Sequence, residues 1–390
     1  MNYFPLTPSQ LAMQARVADL ADKEIAPRAA VYDARAEYPR ESLEALRDAG
    51  LWALRVSKEH GGLEEDLLTT CLVVEEVAKK CPSTAMCYKM HLEASEVLHL
   101  LGTPYQVERF VRPLGRGEVF ATIAGGESWG PTGTDWRGST LEAAPLPRAN
   151  GTIMLDNVRK SYVTSAGHAT HYTMFCRVEG LHTDGPPNLL VVESDQVDWQ
   201  VLDAWHGLGM RGNCSAPMLF NGTVPEANLL GADQPTATLW GRYLMPLLVL
   251  TYGAAYLGIA SGAYELACTE VARRYPSGAR RLDNPLNQRR MAECSAHIEA
   301  ARALLHAAAC MADQSRAASP LPLLQAKVLC AEAAVRITQD LMTVFGGTAF
   351  AGRLPFERYF RDARAGMVMG VANDQAYQNI AGLLFPENQS

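Results

Sequence analysis

Features that would point to particular partners or compartments are missing from this 390-residue sequence. No basic cluster stands out, and 42 aspartates and glutamates outnumber 35 lysines and arginines, so we expect no nucleic-acid partner. None of the nine cysteines forms a C-x-x-C pair, which favours reduced thiols in a cytoplasmic protein. The first residues do not combine a basic with an apolar segment, and the apolar stretch 244–250 is too short to cross a bilayer. We therefore expect neither a secretion signal nor a membrane-spanning segment.

The sequence does contain an uncommon order of patterns, in which helical spacing gives way to strands and then returns. Residues 1–115 have apolar residues at helical spacing, beginning with a capping box at 7–10. Residues 116–233 form short β-branched segments bounded by Gly, Pro, Asn and Asp, which is typical of antiparallel strands in a small barrel or sandwich. Residues 234–390 form long helical segments with short connections, which favours a helix bundle. We predict a mainly α fold with a middle β domain, divided at these boundaries.

Five short motifs occur along these regions. In chain order they are KSYVTSAGHATHY (160–172), GMRGNCSAPMLFNGTVP (209–225), RYPSG (274–278), FGGTAF (345–350) and PFERYFRDAR (355–364). Together they resemble the acyl-CoA dehydrogenase family, flavoenzymes with an N-terminal helical domain, a middle β domain and a C-terminal four-helix domain. The resemblance covers nearly the whole chain. It implies an FAD cofactor and a small acyl substrate carried on CoA or a carrier protein.

The resemblance places the flavin ring beside the strand end that carries Tyr162 and Thr164. The Thr164 hydroxyl would donate toward the flavin N5 region, with an ordinary strand-edge threonine as the alternative. The stretch IAGGESWGPTGTD (123–135) stands where the family has a loop around the flavin diphosphate. Within it, Gly126 allows close backbone approach and Thr134 matches the family's serine, with a bare glycine-rich turn as the alternative.

Further cofactor contacts are implied in the C-terminal region. Arg274 matches the arginine that crosses the subunit interface to a diphosphate, a bidentate role that suits a guanidinium. Gly346 and Gly347 resemble the turn that admits the neighbouring subunit's adenine, and Thr343 and Asp374 complete the predicted set. Because one flavin site in this family draws on two chains, the resemblance implies a homodimer or homotetramer. A solvated arginine beside a helix cap is the alternative.

A charged stretch near the C-terminus has a structural interpretation. Its charged residues look like the family's network that anchors the last helix: Glu357, Arg358, Arg361, Asp362 and Arg364. A catalytic role for Asp362 is not expected.

The catalytic glutamate of the family is missing. In most members it stands just before a Gly-Thr pair and removes the proton α to the thioester while the flavin takes hydride from the β carbon; the matching position here is Gly370. Other members carry it beside an arginine on the first long C-terminal helix, and those positions are Leu248 and Val249. A positioned base typically contributes about 10²–10⁴-fold to the rate. The candidate replacement bases are His91 and Glu127, followed by Tyr88, Lys89 and Asp374.

Three functions fit this pattern. The first is an FAD-dependent oxidoreductase that acts on an acyl thioester with a non-standard base. The second is a flavin-dependent monooxygenase or N-hydroxylase on the same fold, which would use oxygen and reduced flavin from a partner reductase and need no base. The third is a catalytically silent flavoprotein. The resemblance implies an electron-transfer partner for the first function, and we expect no metal site for any of them.

Overall fold

A computed structural model describes residues 5–126, 144–181, 186–316 and 319–386 of the chain. Helices occupy both ends of the described sequence and strands its middle, which confirms the predicted fold class. The α-helices are α1 (Pro8–Leu20), α2 (Ala29–Arg35), α3 (Arg40–Asp48), α4 (Leu67–Lys80), α5 (Pro82–Leu101), α6 (Pro104–Gln106), α7 (Arg112–Gly115), α8 (Thr236–Thr238), α9 (Met245–Ala272), α10 (Pro285–Gln314), α11 (Leu321–Phe345), α12 (Gly347–Phe350), α13 (Phe356–Ala363), α14 (Ala365–Val368) and α15 (Asn373–Leu384). The strands are β1 (Ala121–Ala124), β2 (Arg148–Ala149), β3 (Thr152–Val163), β4 (His171–Cys176), β5 (Asn188–Glu193), β6 (Asp198–Val201), β7 (Ala216–Pro225) and β8 (Leu229–Leu230).

The strands form two four-stranded sheets with the orders β1-β4-β5-β8 and β2-β3-β7-β6. Tyr172 of β4 packs edge-on against Phe220 of β7 with ring centroids 5.2 Å apart, so apolar side chains of the two sheets meet. One part of the strand prediction needs correction, because β1 pairs with β4 in parallel whereas the other pairs are antiparallel. The chain leaves β1, forms β2 and β3 in the other sheet, and only then returns as β4. A tight hairpin between β1 and β4 is therefore not available.

The N-terminal and C-terminal helices share one core through α4 and α9. Two glycines of α9 make this close crossing possible. A Cβ atom at Gly258 would lie 2.5 Å from the carbonyl oxygen of Glu75, and one at Gly262 would lie 2.2 Å from that of Lys79. The first half of the chain is thus packed directly against the bundle that carries the second half of the site.

The central helical stretch Thr236–Ala272 is long and apolar enough, by length and composition alone, to cross a membrane. The shorter stretch 244–250 gave no such signal. In the fold, 89% of the most apolar window within Thr236–Ala272 is buried. A helix that is apolar around its whole circumference is also what the core of a large helical protein contains.

Candidate active site

A cavity of about 600 Å³ opens between α5, the ends of β1 and β3, and α9. Residues 368–371, the last residue of α14 and the turn after it, close another side of it. Its wall is largely methionine, leucine, isoleucine and aromatic side chains with a few polar groups among them. That composition is expected of a small-molecule site, in which a few polar groups fix the orientation of the ligand.

One edge of the cavity joins Gly126 to the end of β3. The backbone nitrogen of Ser161 donates to the carbonyl oxygen of Gly126 at 2.6 Å, which ties the glycine to the strand. Thr164 is buried, and its hydroxyl oxygen lies 2.9 Å from that of Ser215. When one of these hydroxyls donates to the other, the second keeps its own hydrogen for a ligand.

Tyr162 stands at the same edge, with its side chain largely open to solvent. It adopts a φ of +55°, which is uncommon for a residue with a side chain, and 63% of its surface is exposed. The structure therefore brings Gly126, Tyr162 and Thr164 to one cavity. Their contact with a flavin stays a prediction, and the predicted residues Glu127 and Thr134 lie outside the described residues.

The wall opposite this edge holds a buried charged pair. Lys89 forms an ion pair with the Oε1 atom of Glu93, one helical turn along α5, and its Nζ atom lies 3.2 Å from the ring centroid of Tyr252. Thr251 donates to the same Oε1 atom at 3.0 Å. Burial lowers the pKa of Lys89 to about 8, and the charge of Glu93 opposes that shift. Lys89 is therefore engaged as the cation of a pair. The sequence analysis missed Glu93, although a Lys-x-x-x-Glu spacing on an apolar helix signals such a pair.

The position predicted for the family's glutamate is sterically closed. Gly370 has a φ of +75°, and a Cβ atom built there would lie 2.8 Å from ring atoms of Tyr252. The turn is held by Tyr256, whose hydroxyl donates to the carbonyl oxygens of Ala365 and Met369 at 3.3 and 3.4 Å. Leu248, at the other known base position, lines the same cavity without a polar group.

His91, a candidate replacement base, does not line the cavity, so the structure does not place it where a base would be needed. The backbone nitrogen of Ala121 donates to its Nδ1 atom at 3.0 Å, and its Nε2 atom donates to the carbonyl oxygen of Trp52 at 2.9 Å. The ring stacks on Phe120 at 4.7 Å, and burial lowers the pKa of His91 to about 4. Tyr88 is likewise buried elsewhere, since its hydroxyl donates to the carbonyl oxygen of Leu51 at 2.7 Å. Both side chains therefore serve packing.

A second cleft of about 550 Å³ lies at the C-terminal end of α11. Three of the predicted cofactor residues, Thr343, Gly346 and Gly347, line it together with Arg281 and Arg353. Arg281 donates to the hydroxyl of Thr348 at 3.1 Å and to the carbonyl oxygen of Val344 at 3.3 Å, so its guanidinium is held at the rim. The sequence analysis did not single out these two arginines. Two guanidiniums beside a glycine turn, one of them held in place, suit a phosphate-bearing ligand.

The two remaining predicted cofactor residues lie outside both cavities. Arg274 is exposed and donates to the carbonyl oxygen of Gly278 at 2.8 Å, across a turn. Asp374 is exposed in the first turn of α15. Within one chain, the structure brings neither to the residues around Thr164. Arg274 remains available to a neighbouring chain.

The charged stretch near the C-terminus is a helix, α13, and it links the three regions of the chain. Arg361 pairs with Asp33 of α2 through bonds of 2.6 and 2.9 Å and with Glu357 at 2.8 Å. Asp362 accepts from the backbone nitrogen of Met210 at 2.5 Å, and its burial raises its pKa to about 6. The predicted structural role is therefore found. Its contacts, however, hold α13 to the N-terminal helices and the β region, whereas the last helix is held by Lys327.

Comparison with known proteins identifies the family that shares this sequence and architecture. Sequence models of the acyl-CoA dehydrogenase N-terminal and C-terminal domains match residues 7–118 and 250–381. Cyclohexane-1-carbonyl-CoA dehydrogenase of Geobacter metallireducens is 30% identical over 356 residues, which cover 90% of this chain and 91% of that protein. Benzylmalonyl-CoA dehydrogenase of Aromatoleum aromaticum is 29% identical over 376 residues, which cover 94% and 95%.

Solved structures with lower sequence identity share the fold. Butyryl-CoA dehydrogenase from Megasphaera elsdenii superimposes with a TM-score of 0.89 at 23% identity, over 98% of this chain and 99% of that one. The FAD complex of PigA gives 0.87 at 19% over 98% of both chains. Dibenzothiophene monooxygenase from Paenibacillus sp. A11-2 gives 0.82 at 22% over 97% and 98%. The chain belongs to the acyl-CoA dehydrogenase family and is a flavin-dependent oxidoreductase.

Proposed function

We propose that the chain is an FAD-dependent oxidoreductase that oxidises a small acyl thioester in the cavity between α5, β3 and α9. The observation that carries the proposal is the meeting of Gly126, Tyr162 and Thr164 with the Gly370 turn around one cavity. Two relatives are named for CoA thioester substrates, and each matches this chain over more than nine-tenths of its own length. The cavity volume of about 600 Å³ suits a short acyl group beside a flavin ring.

The residues of this chain fit a flavin. A bound flavin would supply the hydride acceptor, and Glu127, which lies outside the described residues, remains the predicted acceptor of the α proton. The spare O–H of the Thr164–Ser215 pair would donate to the ring edge, and Gly126 leaves its backbone open to close approach. The methionine side chains of α5, Met86 and Met90, would exclude water from the acyl group.

FAD, in contrast to FMN, carries a diphosphate and an adenosine that need a second binding region. The cleft beside Gly346 and Gly347 offers two guanidiniums, those of Arg281 and Arg353. It shares no lining residue with the first cavity. We therefore propose a homodimer or homotetramer in which the cleft of one chain, with Arg274, completes the flavin site of another.

A second candidate function is supported by the closed position at Gly370. Neither Gly370 nor Leu248 supplies a carboxylate, and the ring of Tyr252 fills the space beside the first. A monooxygenase or N-hydroxylase that uses oxygen and reduced flavin needs no base there. The fold shared with dibenzothiophene monooxygenase is compatible with this function.

The experiment that separates these functions begins with the purified protein reconstituted with FAD. Mass spectrometry of the released cofactor and size-exclusion chromatography test for FAD and an oligomer. Anaerobic addition of butyryl-CoA should bleach the flavin absorbance if the first function is right. Oxygen consumption with supplied reduced flavin, without bleaching by any acyl thioester, would favour the monooxygenase. A bound flavin with neither response would favour a silent flavoprotein.

A further inference from the structure

The cavity is lined by Glu93, the acidic member of the Lys89–Glu93 pair, which the proposed function leaves unused. The two side chains are 0% and 1% exposed. Lys89 is well satisfied, because it contacts the Glu93 carboxylate, the Sδ atom of Met90 at 3.4 Å and the face of Tyr252. Buried ion pairs are tolerated when the remaining lone pairs also find partners. In this pair the cation meets that condition.

The Glu93 carboxylate lacks a partner for one of its two oxygen atoms among the described residues. Its Oε1 atom accepts from Lys89 and Thr251, but its Oε2 atom is buried without a hydrogen-bond partner among the described residues. Native proteins rarely leave a buried charged acceptor unsatisfied, and such an atom calls for an explanation. Glu93 lines the same cavity as Gly126 and Thr164, so a ligand there can supply the missing donor. The terminal torsion of a glutamate is soft, so the carboxyl group can turn toward the cavity at small cost.

The charge of the pair decides which kind of donor fits. Glu93 and Lys89 together are neutral, and their surroundings are apolar, with Met86 and Leu248 on the same wall. A ligand ammonium group would leave one positive charge uncompensated in this space, which is strongly unfavourable. A hydroxyl group donates without adding charge. A plain alkyl chain leaves the Oε2 atom unsatisfied.

We infer that Glu93 is a substrate-binding residue and that the natural acyl group carries a hydroxyl that donates to its carboxylate. This inference rests on the proposed function and narrows its substrate class to hydroxylated acyl thioesters. The hydroxyl belongs beyond the β carbon, because oxidation at the α and β carbons has to leave it in place. Glu93 is thus a specificity-determining residue, and Lys89 is the positioning residue that holds its carboxylate in place.

The test measures binding rather than turnover. The FAD-loaded protein is titrated with butyryl-CoA, 4-hydroxybutyryl-CoA and 4-aminobutyryl-CoA, and Kd is read from the perturbation of the flavin spectrum. The same three acyl groups are titrated as N-acetylcysteamine thioesters, so that CoA recognition does not decide the result. We expect the hydroxylated ligand to bind about ten-fold or more tightly than the butyryl ligand in both series, and the amino ligand to bind most weakly.

Two variants connect this preference to Glu93. Glu93→Gln removes the charge, and the double variant Lys89→Met/Glu93→Leu replaces the whole pair with apolar groups of similar size, which guards against unfolding around an unpaired lysine. In the double variant the ratio of the two Kd values should fall to about one. A preference that survives in a folded double variant overturns the inference.

The remaining outcomes separate the inference from the proposed function. Equal binding of butyryl and hydroxybutyryl ligands by the unmodified protein refutes the inference and leaves the proposed function standing. Loss of flavin reduction in Glu93→Gln with an unchanged Kd ratio would show a base and also refute it. Failure of all six thioesters to perturb the flavin refutes the proposed function, and the inference falls with it.

Discussion

The aromatic ring of Tyr252 occupies the space into which a side chain at Gly370 would project. A Cβ atom at Gly370 would lie 2.8 Å from two ring carbons of Tyr252, closer than real Cβ atoms approach their neighbours. Tyr252 is in turn held by Lys89 on its face and by the ring of Tyr256, stacked at 6.0 Å. The helix opposite Gly370 therefore leaves no room for a side chain at this position. The site is built around a glycine at this position.

Gly370→Ala should destabilise the protein more than a substitution at an open glycine with a similar backbone. A residue with a side chain in the left-handed region costs about 1–3 kcal/mol, and here the contact with Tyr252 adds to that cost. The matched control is Gly278→Ala, whose φ is +84° and whose Cβ would meet nothing within 4 Å. Urea unfolding of both variants measures the difference. Equal losses at the two positions would show that Tyr252 yields freely.

Gly370→Glu alone should not raise the oxidation of butyryl-CoA above that of the unmodified protein. The new carboxylate cannot be placed without moving the ring of Tyr252, and an unpaired carboxylate in an apolar pocket is unfavourable. Gly370→Glu combined with Tyr252→Ala should gain slow electron transfer to an artificial acceptor, because the base then has room. The control is Gly370→Gln with Tyr252→Ala, which lacks the carboxylate. Activity in the single variant equal to that in the double variant would contradict the steric account.

Arg274→Ala should weaken FAD retention without lowering the melting temperature of the flavin-free protein. Within the chain, the Arg274 side chain makes one hydrogen bond across an exposed turn, so its loss costs the fold little. At a subunit interface the same guanidinium would form charge-assisted bonds worth about 1.5–3 kcal/mol to a diphosphate. Arg273→Ala is the control, because that side chain is 75% exposed and pairs with Glu270 at 3.7 Å. Equal FAD dissociation constants for the two variants would argue against the cross-chain role.

His91 should make the protein sensitive to acid. Its pKa is about 4 in the fold and 6.5 when unfolded, so the unfolded state binds a proton first as the pH falls. The stabilisation is complete above pH 6.5 and is lost between pH 6.5 and 4, by about 3 kcal/mol in total. His91→Gln should flatten the urea-derived stability curve across this window, and His206→Gln, at an exposed site, is the control variant. Parallel curves for wild type and His91→Gln would show that the imidazole is not buried as described.

Arg361→Ala should cost more stability than the loss of an exposed ion pair. The Arg361 and Asp33 side chains are 19% and 14% exposed, and their bidentate contact joins α13 to α2. Removing one partner of a mostly buried pair costs about 3 kcal/mol. Lys23→Ala breaks the exposed pair with Asp19, at 68% and 60% exposure, and should cost under about 1 kcal/mol. Similar losses of stability for both variants would show that the Arg361–Asp33 pair contributes no more to stability than an exposed ion pair.

Local patterns identified much of the fold, because local chemistry sets element boundaries. The capping box at Thr7 and Gln10 is present as predicted, β7 lies within the predicted β region, and α11 lies within the predicted C-terminal helical region. The sequence pattern gave no signal for β6 (Asp198–Val201), because this strand is short and mostly exposed and so lacks an apolar face. The parallel pairing of β1 with β4 also has no local signal, since it depends on which sheet the chain enters first.

The site was harder to predict than the fold, and α5 shows why. Every residue from Pro82 to Leu98 of this helix is buried, so apolar spacing could not show which side faces a cavity. His91 seemed suited to catalysis by its chemistry, yet its ring turns toward Trp52 and Ala121. Glu93, two positions further along, lines the cavity. Choosing between them needed the packing of α5 against β1 and α9, which are distant in the sequence.

Lys327 gives the cavity a rigid floor. Its Nζ atom donates to the carbonyl oxygens of Gly366 and Val371 at 2.9 and 2.7 Å and to the Oδ1 atom of Asn373 at 2.7 Å. These three acceptors bracket the turn that contains Gly370, so the backbone there is ordered during folding and not when a ligand arrives. Ligands that differ only in the part that contacts this turn should therefore differ in affinity because of their direct contacts. Ordering of the turn should contribute little to those differences.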